Sequence, residues 1–252
     1  MSAASPTLPS PFRLIAYETI GSTSDEAMRL ARGGAEEGLV VIAGQQTTGR
    51  GRRGRTWSSP PGNLYSSTLL RPACRAAIAA QLGFVAALGV AGAIGEVAPG
   101  VTVSCKWPND VLVNGKKISG ILLETEMVTG DRPDFVVLGM GLNLVSSPCD
   151  TPYLATSLAA EGASGITPQA MIVVFLKHFA AWLGRWREDG FAPIRSAWLP
   201  RAAGIGGPIR VRLERDTLDG RFLDLDDDGA LMLGLPGGNR RIAAGEVFPV
   251  LG

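Results

Sequence analysis

The chain has 252 residues, of which 46% are hydrophobic and 19% charged, and its formal net charge is +1. This length and composition allow a packed core in one large domain or two unequal ones, and they exclude global disorder. The balanced charge also argues against a protein that coats nucleic acid, because such proteins usually carry a basic excess.

Residues 1–14 begin with MSAASPTLPSPF and contain no apolar signal segment, so they predict a flexible lead-in. A helix is predicted next, within ETIGSTSDEAMRLARGG. Thr23 and Glu26 form a capping-box pattern, and Asp25 also suits the positive end of the helix dipole. The Gly-Gly pair that follows predicts the end of this helix.

An apolar run follows two predicted strands. The strands are LVVIAGQQ (39–46), which leads into an arginine-rich segment, and NLYSSTLLRP (63–72). Residues 76–98 are long enough to cross a bilayer, but they are mostly Ala and Gly and are interrupted by Gln81 and Glu96. They predict a helix packed inside a soluble domain rather than a membrane span.

The middle of the chain predicts antiparallel strands joined by short turns. VTVSCKW leads into a Pro-Asn-Asp turn, and the Asn114-Gly115 pair is the strongest short hairpin signal. GILLETEMV and FVVLGMGLNLV pair across a turn at TGDR. A long helix follows, with Thr167 as its cap and Pro168 as its first residue, and PIRSAWLPRA predicts a shorter one.

The sequence pattern changes after about Gly204. Short alternating runs separated by Asp-Gly and Gly-Gly pairs predict a small β-barrel of about five strands. The predicted fold class is α+β: a mixed or antiparallel sheet with helices on one face, followed by the barrel. We divide the chain into the lead-in (1–14), an α+β domain (15–203) and the C-terminal barrel (204–252).

The segment GRGRRGR (49–55) places four arginines among three glycines. Glycines let a backbone approach a ligand closely, and guanidinium groups bind phosphate oxygens in pairs. Like charges would keep an empty loop mobile, and an anionic ligand would order it. A solvated basic turn explains the same pattern, and an RNA-binding tract would need many such repeats. On this segment alone, phosphate binding and a solvated turn stay open.

A second polar cluster lies in KWPNDVLVNGKKISGILLE (106–124). Lys106, Asn109 and Asp110 meet at a tight turn, and Lys117 on the return strand can point back toward it. A lysine, an amide and a carboxylate on rigid strands suit work on an acyl-phosphate centre. Edge-strand lysines that oppose aggregation and a simple Asn-Asp turn are the open alternative.

Two further features complete the candidate chemistry. Gly139 and Gly141 inside a strand indicate close approach by a ligand or another backbone. GSTSDE places three hydroxyls at a helix start, where capping needs only one. His178 is the only histidine, so a histidine-based catalytic triad is not expected. Three widely spaced cysteines without a CxxC pair argue against disulfides and zinc, and fit the cytoplasm.

GSTSDEA, GQQTTGRGRRGRTW, KWPNDVLVNGKKISGILLE and GMGLNL, in this order, closely resemble the bacterial biotin–protein ligases, also called biotin–[acetyl-CoA-carboxylase] ligases. The resemblance covers about residues 15 to 250. It implies a class II synthetase-like catalytic domain and an SH3-like barrel. It also implies an enzyme that makes biotinyl-5′-AMP from biotin and ATP with Mg²⁺, and then passes biotin to a lysine of a biotin carboxyl-carrier protein domain.

The resemblance implies roles for individual residues. Lys117, Arg52 and Asp110 would be catalytic, with Lys117 bridging the biotin carboxylate and a phosphate oxygen. Asp110 is our candidate for orienting or deprotonating the carrier lysine. Many relatives carry Asn where Ser24 stands, so its contact with biotin would be shorter or bridged by water. Direct metal ligands stay unassigned. The other implied positions are a nucleotide vicinity of Asn109 and Asn143 and a biotin and biotinyl-AMP pocket of Ser22, Thr23, Ser24, Gln46, Arg50, Gly51, Arg52, Arg55, Trp57, Lys117 and Gly120.

Two rival functions fit parts of this sequence. Lipoate or octanoate ligases and transferases share the catalytic fold, but GRGRRGRTW together with the barrel favours biotin. An RNA-binding module is disfavoured by the balanced charge and the lack of interleaved aromatic residues. About twenty residues precede GST, too few for a helix-turn-helix domain, so we expect a ligase without operator binding. We expect no nucleic acid or membrane partner, and a homodimer through the sheet stays open.

Overall fold

The computed structural model describes residues 7–149, 151 and 153–249. The helices are α1 (Thr23–Arg32), α2 (Ala76–Ala79), α3 (Leu82–Val97), α4 (Pro168–Asp189) and α5 (Ala192–Trp198). The first seven strands are β1 (Arg13–Ile20), β2 (Leu39–Gln46), β3 (Leu64–Leu70), β4 (Val103–Lys106), β5 (Asp110–Val113), β6 (Lys116–Thr129) and β7 (Arg132–Leu142). The last five are β8 (Pro208–Arg212), β9 (Thr217–Leu225), β10 (Leu231–Leu235), β11 (Gly238–Ile242) and β12 (Glu246–Pro249).

Seven strands form one sheet in the order β1-β2-β3-β7-β6-β5-β4. β1 and β2 are parallel because α1 connects them, and the other neighbours are antiparallel. The predicted mixed sheet is therefore confirmed. β1 itself was not predicted: it begins at Arg13, and Phe12 before it is buried. Residues 1–6 of the predicted lead-in lie outside the described residues.

Helices cover both faces of this sheet, so the prediction of helices on one face only is wrong. Val40 and Ile42 of β2 face the large core cluster that includes α3 and α4. Leu39 and Val41 face the other way and pack in a second cluster with residues of α1. Since successive residues of a strand point to opposite faces, an apolar strand such as β2 needs a covering layer on each side.

The start of α1 differs from the predicted capping box. Ser22, not Thr23, is the N-cap, and its Oγ accepts a hydrogen bond from the Asp25 amide at 3.4 Å. Glu26 does not reach back to the cap, because its carboxylate accepts hydrogen bonds from Tyr17 at 2.7 Å and from Arg29. The Thr23 side chain is thereby left for contacts outside the helix.

The apolar segment that could have suggested a membrane span is the core of the domain. Ala76–Val97 is long and apolar enough to cross a bilayer, but its most apolar stretch is 78% buried inside the fold. A Cβ atom at Gly89 would lie 3.2 Å from atoms of Phe175 and Phe179, so glycine permits close packing of α3 against α4. The prediction of a packed core helix is confirmed.

The C-terminal strands form an antiparallel five-stranded sheet in the order β11-β10-β9-β8-β12, as predicted for the barrel. Trp107 and Arg195 are among the residues of the α+β part that contact it. The indole Nε1 of Trp107 donates to the carbonyl of Gly229 at 3.1 Å. Arg195 donates to the carbonyl of Leu225 at 2.7 Å and pairs with Asp224 at 2.5 Å. These contacts set the position of β12 relative to the large sheet.

Candidate active site

One cavity lies where the start of α1, the loop after β2, the hairpin of β5 and β6, and β12 meet. Thirteen of the fourteen residues that the sequence placed at a site line it. They are Ser22, Thr23, Ser24, Gln46, Arg50, Gly51, Arg52, Arg55, Trp57, Asn109, Asp110, Lys117 and Gly120.

Asn143 is the exception. Its side-chain amide donates to the carbonyl of Thr156 at 2.9 Å, and its backbone amide donates to Ile118 at 2.9 Å. The residue is buried and is not part of the cavity lining. Its side chain instead holds the segment after residue 153 against β7, and its place in the nucleotide vicinity stays a prediction.

One end of the cavity is a network of hydroxyl and amide groups. The Thr23 amide and hydroxyl donate to Oε1 of Gln46 at 2.9 and 3.1 Å, and the Gln46 amide donates to Ser59 at 3.0 Å. Ser67 Oγ lies 2.8 Å from the Thr23 hydroxyl and 3.0 Å from that of Ser24. Ser59 and Ser67 were missed, because a serine in a loop or inside a predicted strand gives no signal of its own. The network holds several donors and acceptors in place for a small polar group.

A flat apolar slot adjoins this network. Gly120 and Gly141 are register partners on β6 and β7, and the indole of Trp57 lies against both. A Cβ at Gly141 would be 2.3 Å from the ring, and one at Gly139 would be 2.9 Å from the Ser24 hydroxyl. Glycine is therefore required on this surface because of close approach, as the GMGLNL pattern indicated.

The charged centre of the cavity is Asp110 with a lysine on each side. Lys117 Nζ lies 2.6 Å from Oδ1, and Lys106 Nζ lies 3.6 Å from Oδ2. The Lys117 ammonium is thus the partner of Oδ1, a buried oxygen that has no other donor among the described residues. Burial lowers the pKa of Lys106, although Asp110 opposes this shift.

A bulge in the β5–β6 hairpin aims Lys117 into the cavity. The two-residue turn has both Asn114 and Gly115 at positive φ, as the Asn-Gly signal predicts. The register then shifts between Val111 and Leu112. In a regular strand, residues 117 and 120 would point to opposite faces, but the bulge places Lys117 and Gly120 on the same side, toward Trp57.

The arginine loop folds over the cavity and each of three arginines has a partner. Arg52 donates to Oδ1 of Asn109 at 3.0 Å, and Arg55 pairs with Glu246 at 2.5 Å. Arg50 lies between Asp25 and Glu124, 2.9 Å from the latter. Burial and the neighbouring Arg53 lower the pKa of Arg52. These contacts hold the arginine loop over the cavity, and Arg50, Arg52 and Arg55 all line it.

Among the other lining residues, four surround the charged centre and are not among the predicted site residues: Lys106, Tyr153, Glu246 and Phe248. Lys106 belongs to the KWPND motif, but the sequence assigns it no role. Tyr153 lies with its ring 4.9 Å from Lys117 Nζ, and Phe248 lies with its ring 5.2 Å from Lys106 Nζ. Glu246 precedes Phe248 on β12. No local pattern could have found Tyr153, Glu246 or Phe248, because only the folded chain brings the barrel and the segment before α4 to this cavity.

The cavity also offers ligands for Mg²⁺. Glu246 Oε2 is a buried acceptor without a hydrogen-bond donor among the described residues, and Asp110 Oδ1 has the Lys117 ammonium as its one close partner there. In the described part of the chain, no three or more His, Cys, Asp or Glu side chains lie close enough together to hold a metal ion by themselves. Mg²⁺ is commonly held by one or two carboxylates together with substrate phosphates and water. Asp110 and Glu246 therefore fit a Mg²⁺ ion that enters with a nucleotide.

Two family models match the chain. The biotin/lipoate A/B protein ligase family matches residues 56–200, and the biotin protein ligase C-terminal domain matches residues 204–248. Among solved structures, the biotin protein ligase from Aquifex aeolicus in complex with biotin and ATP has a TM-score of 0.81 and 28% identity. That match covers 94% of this chain and 97% of the Aquifex chain.

Curated relatives agree with these matches. The biotin–[acetyl-CoA-carboxylase] ligase of Paracoccus denitrificans is 42% identical over 233 residues, which cover 90% of this chain and 96% of the relative. The bifunctional ligase/repressor BirA of Bacillus subtilis is 37% identical over 239 residues, covering 93% of this chain and 73% of the relative. By the extent and identity of these matches, the chain belongs to the biotin protein ligase family.

Proposed function

We propose that this site activates biotin with ATP to give biotinyl-5′-AMP and pyrophosphate, and then transfers biotin to a specific lysine of a biotin carboxyl-carrier protein domain. The position of Lys117 is the observation that carries the proposal. Its Nζ lies 2.6 Å from Oδ1 of Asp110 and faces the Trp57 slot. The polar network lies beside this slot, and the arginine loop covers it. The site thus offers an apolar channel that ends in concentrated positive charge, which suits a molecule with a polar head and a terminal carboxylate.

The first step joins two anions, because the biotin carboxylate attacks the α-phosphorus of ATP. The buried ammonium of Lys117 and the guanidinium of Arg52 reduce the repulsion and stabilise the charge that develops in the transition state. Mg²⁺, when held by Asp110 and Glu246, supplies further neutralisation of phosphate charge. The covering arginine loop keeps water from the mixed anhydride that forms.

In the second step, the amine of the carrier lysine attacks the acyl carbon of biotinyl-5′-AMP. A C–N bond forms, the acyl C–O bond to the phosphate breaks, and AMP leaves with the electron pair. A free lysine has a pKa of about 10.4, so the attacking amine must lose a proton. We propose that Asp110 accepts or orients this proton, because its carboxylate is buried at the centre of the cavity, between the ammonium groups of Lys117 and Lys106.

The reaction is tested by incubating the protein with labelled biotin, ATP, Mg²⁺ and a biotin carrier domain, with lipoate as competitor. We expect label on the carrier only when ATP is present, and none on a carrier whose target lysine is replaced. Preferential transfer of lipoate would contradict the assignment to biotin. The role of Asp110 is tested separately, since an Asp110→Ala variant that forms and transfers biotinyl-AMP at normal rates would exclude it.

We further propose that the protein works in the cytoplasm. The buried position of α3 supports this, as do Cys74, Cys105 and Cys149, which are all free thiols. Fractionation of cells that produce the native protein tests this placement, and recovery with the membrane fraction would contradict it.

A further inference from the structure

The lining of the cavity carries more positive charge than its own carboxylates balance. Five of the described lining residues are cationic, namely Arg50, Arg52, Arg55, Lys106 and Lys117, and two are anionic, namely Asp110 and Glu246. Arg50 is balanced by Asp25 and Glu124 beside the cavity, and Arg55 pairs with Glu246. Arg52, Lys106 and Lys117 are left with the one carboxylate of Asp110, an excess of 3 − 1 = 2 positive charges. Lys117 and Lys106 share a single carboxylate, and their side chains are only 14% and 16% exposed. Buried cations need anionic partners, so the cavity is built for a ligand with several negative charges.

The two lysines contact different oxygens of Asp110, and both lie near the ring of Tyr153, but their other neighbours differ. Lys117 is on the side of the apolar slot, with its Nζ 5.5 Å from the centre of the Trp57 ring. Lys106 is on the side of the barrel, with its Nζ 5.2 Å from the centre of the Phe248 ring. A chain of phosphates that starts at the slot therefore meets Lys117 first and Lys106 second.

The expected positions of the attacking and leaving groups agree with this order of Lys117 and Lys106. In phosphoryl and nucleotidyl displacement, the attacking and leaving oxygens lie roughly in line on opposite sides of the phosphorus. Under the proposed function, the attacking carboxylate comes from the Trp57 slot and meets the α-phosphorus near Lys117. The leaving pyrophosphate then lies on the far side of that phosphorus, which is the side of Lys106 and β12.

We propose that Lys106 binds the pyrophosphate part of ATP and neutralises the charge that it gains as it leaves. A bond forms between a carboxylate oxygen and the α-phosphorus, and the bond from that phosphorus to the bridging oxygen breaks. The electron pair departs with the pyrophosphate. Lys106 consequently serves the first step alone, whereas Lys117 serves the α-phosphate. This inference rests on the proposed ligase function.

The alternative role for Lys106 is to hold Asp110 in place through the 3.6 Å contact with Oδ2. A positioning role of that kind would affect the transfer step as well, because Asp110 is our candidate for deprotonating the carrier lysine. The two roles can therefore be separated by measuring the two steps one at a time.

The test uses the full chain with Lys106→Met, which keeps the length of the side chain and removes its charge. Pyrophosphate release is measured with biotin and varied ATP, and inhibition by added pyrophosphate is measured in the same assay. Transfer to the carrier is measured separately, from chemically prepared biotinyl-5′-AMP. Lys106→Arg tests rescue by charge. Lys116→Met is the matched control, since Lys116 is 43% exposed and pairs with Glu161 outside the cavity.

We expect Lys106→Met to lower kcat/KM for ATP roughly 10- to 100-fold, the range for loss of a charged contact. The inhibition constant for pyrophosphate should rise by a similar factor, and transfer from biotinyl-5′-AMP should stay within about twofold of the wild type. Lys106→Arg should recover most of the ATP dependence. An equal loss in both steps, or unchanged pyrophosphate inhibition, would overturn the proposal. If the wild type itself releases no pyrophosphate from biotin and ATP, the ligase function fails instead.

Discussion

Gly120 and Gly141 stand directly opposite each other on β6 and β7, and together they form the surface on which the indole of Trp57 rests. A Cβ atom would come within 2.8 Å of the ring at Gly120 and within 2.3 Å at Gly141. The apolar slot of the cavity therefore depends on two missing side chains in adjacent strands. Neither residue has a positive φ, so close approach and not backbone strain requires glycine here.

Gly141→Ala should displace Trp57 and narrow the slot. We expect the dissociation constant for biotin, measured by calorimetry, to rise roughly 10- to 100-fold, the range for about 1–3 kcal/mol of overpacking. Gly95→Ala in α3 is the control, because a Cβ there meets no atom within 4 Å. Unchanged biotin affinity in Gly141→Ala would show that the slot does not hold biotin.

Lys117→Ala should retain part of the affinity for biotin and nearly abolish adenylation. The buried ammonium is the group closest to Asp110, and loss of one such charge-stabilising group typically lowers kcat roughly 100- to 1,000-fold. Pyrophosphate release measures the step directly. Lys116→Ala, one residue away on the exposed side, should be almost normal. Normal pyrophosphate release by Lys117→Ala would refute its role.

Arg52→Ala should weaken the binding of biotinyl-5′-AMP more than the binding of biotin. Arg52 bonds to Asn109 at the charged end of the cavity, away from the Thr23 network. We expect a loss of about tenfold or more for the adenylate, measured by titration with each ligand. Released adenylate would then label nearby lysines without carrier specificity. Unchanged adenylate affinity would count against this prediction.

Glu246→Gln should loosen the arginine loop from the barrel. Burial opposes ionisation of Glu246, yet Arg55 and its neighbours keep the pKa of this carboxyl below its usual range. Because Arg55 is about half exposed, we expect up to about fivefold faster release of biotinyl-5′-AMP. Stopped-flow dissociation measures the rate. Asp219→Asn, which breaks an exposed pair with Arg210 elsewhere on the barrel, is the control and should leave the rate unchanged.

Stability should depend on pH through Glu161. Its carboxylate accepts hydrogen bonds from Lys116, Thr156 and Asn114, which lower its pKa to about 2. A carboxyl whose pKa is lower in the folded state stabilises the fold above its unfolded pKa, about 4.3, and this stabilisation disappears as the pH falls toward 2.

Urea unfolding between pH 7 and pH 2 measures this effect. Glu161→Gln should lower the free energy of unfolding by roughly 1–3 kcal/mol at pH 7 and show less of the decline in acid. Glu188→Gln on the exposed surface of α4 should follow the wild type. Identical pH profiles for Glu161→Gln and the wild type would contradict the prediction.

The sequence by itself determined the features that depend on neighbouring residues. Asn114 and Gly115 predicted the hairpin turn, and both adopt the positive φ that such a turn requires. Thr167 predicted the cap of α4, and its hydroxyl accepts from the Ala170 amide at 3.2 Å. The glycines and arginines of the segment 49–55 likewise marked it, from sequence alone, as a candidate anion-binding loop. Turns and caps involve groups only a few residues apart, so their chemistry is visible in a short stretch of sequence.

Only the tertiary structure decided which distant groups share the cavity. Glu246 and Phe248 reach it because Trp107 and Arg195 hold the barrel against the large sheet. Asn143 is absent from the lining because its polar groups bond to the segment after residue 153. The strand β1 and the second helical layer likewise depend on pairing and packing across the fold. Such contacts join residues that are far apart in the sequence and meet only when the chain folds. A short stretch of sequence therefore does not predict them.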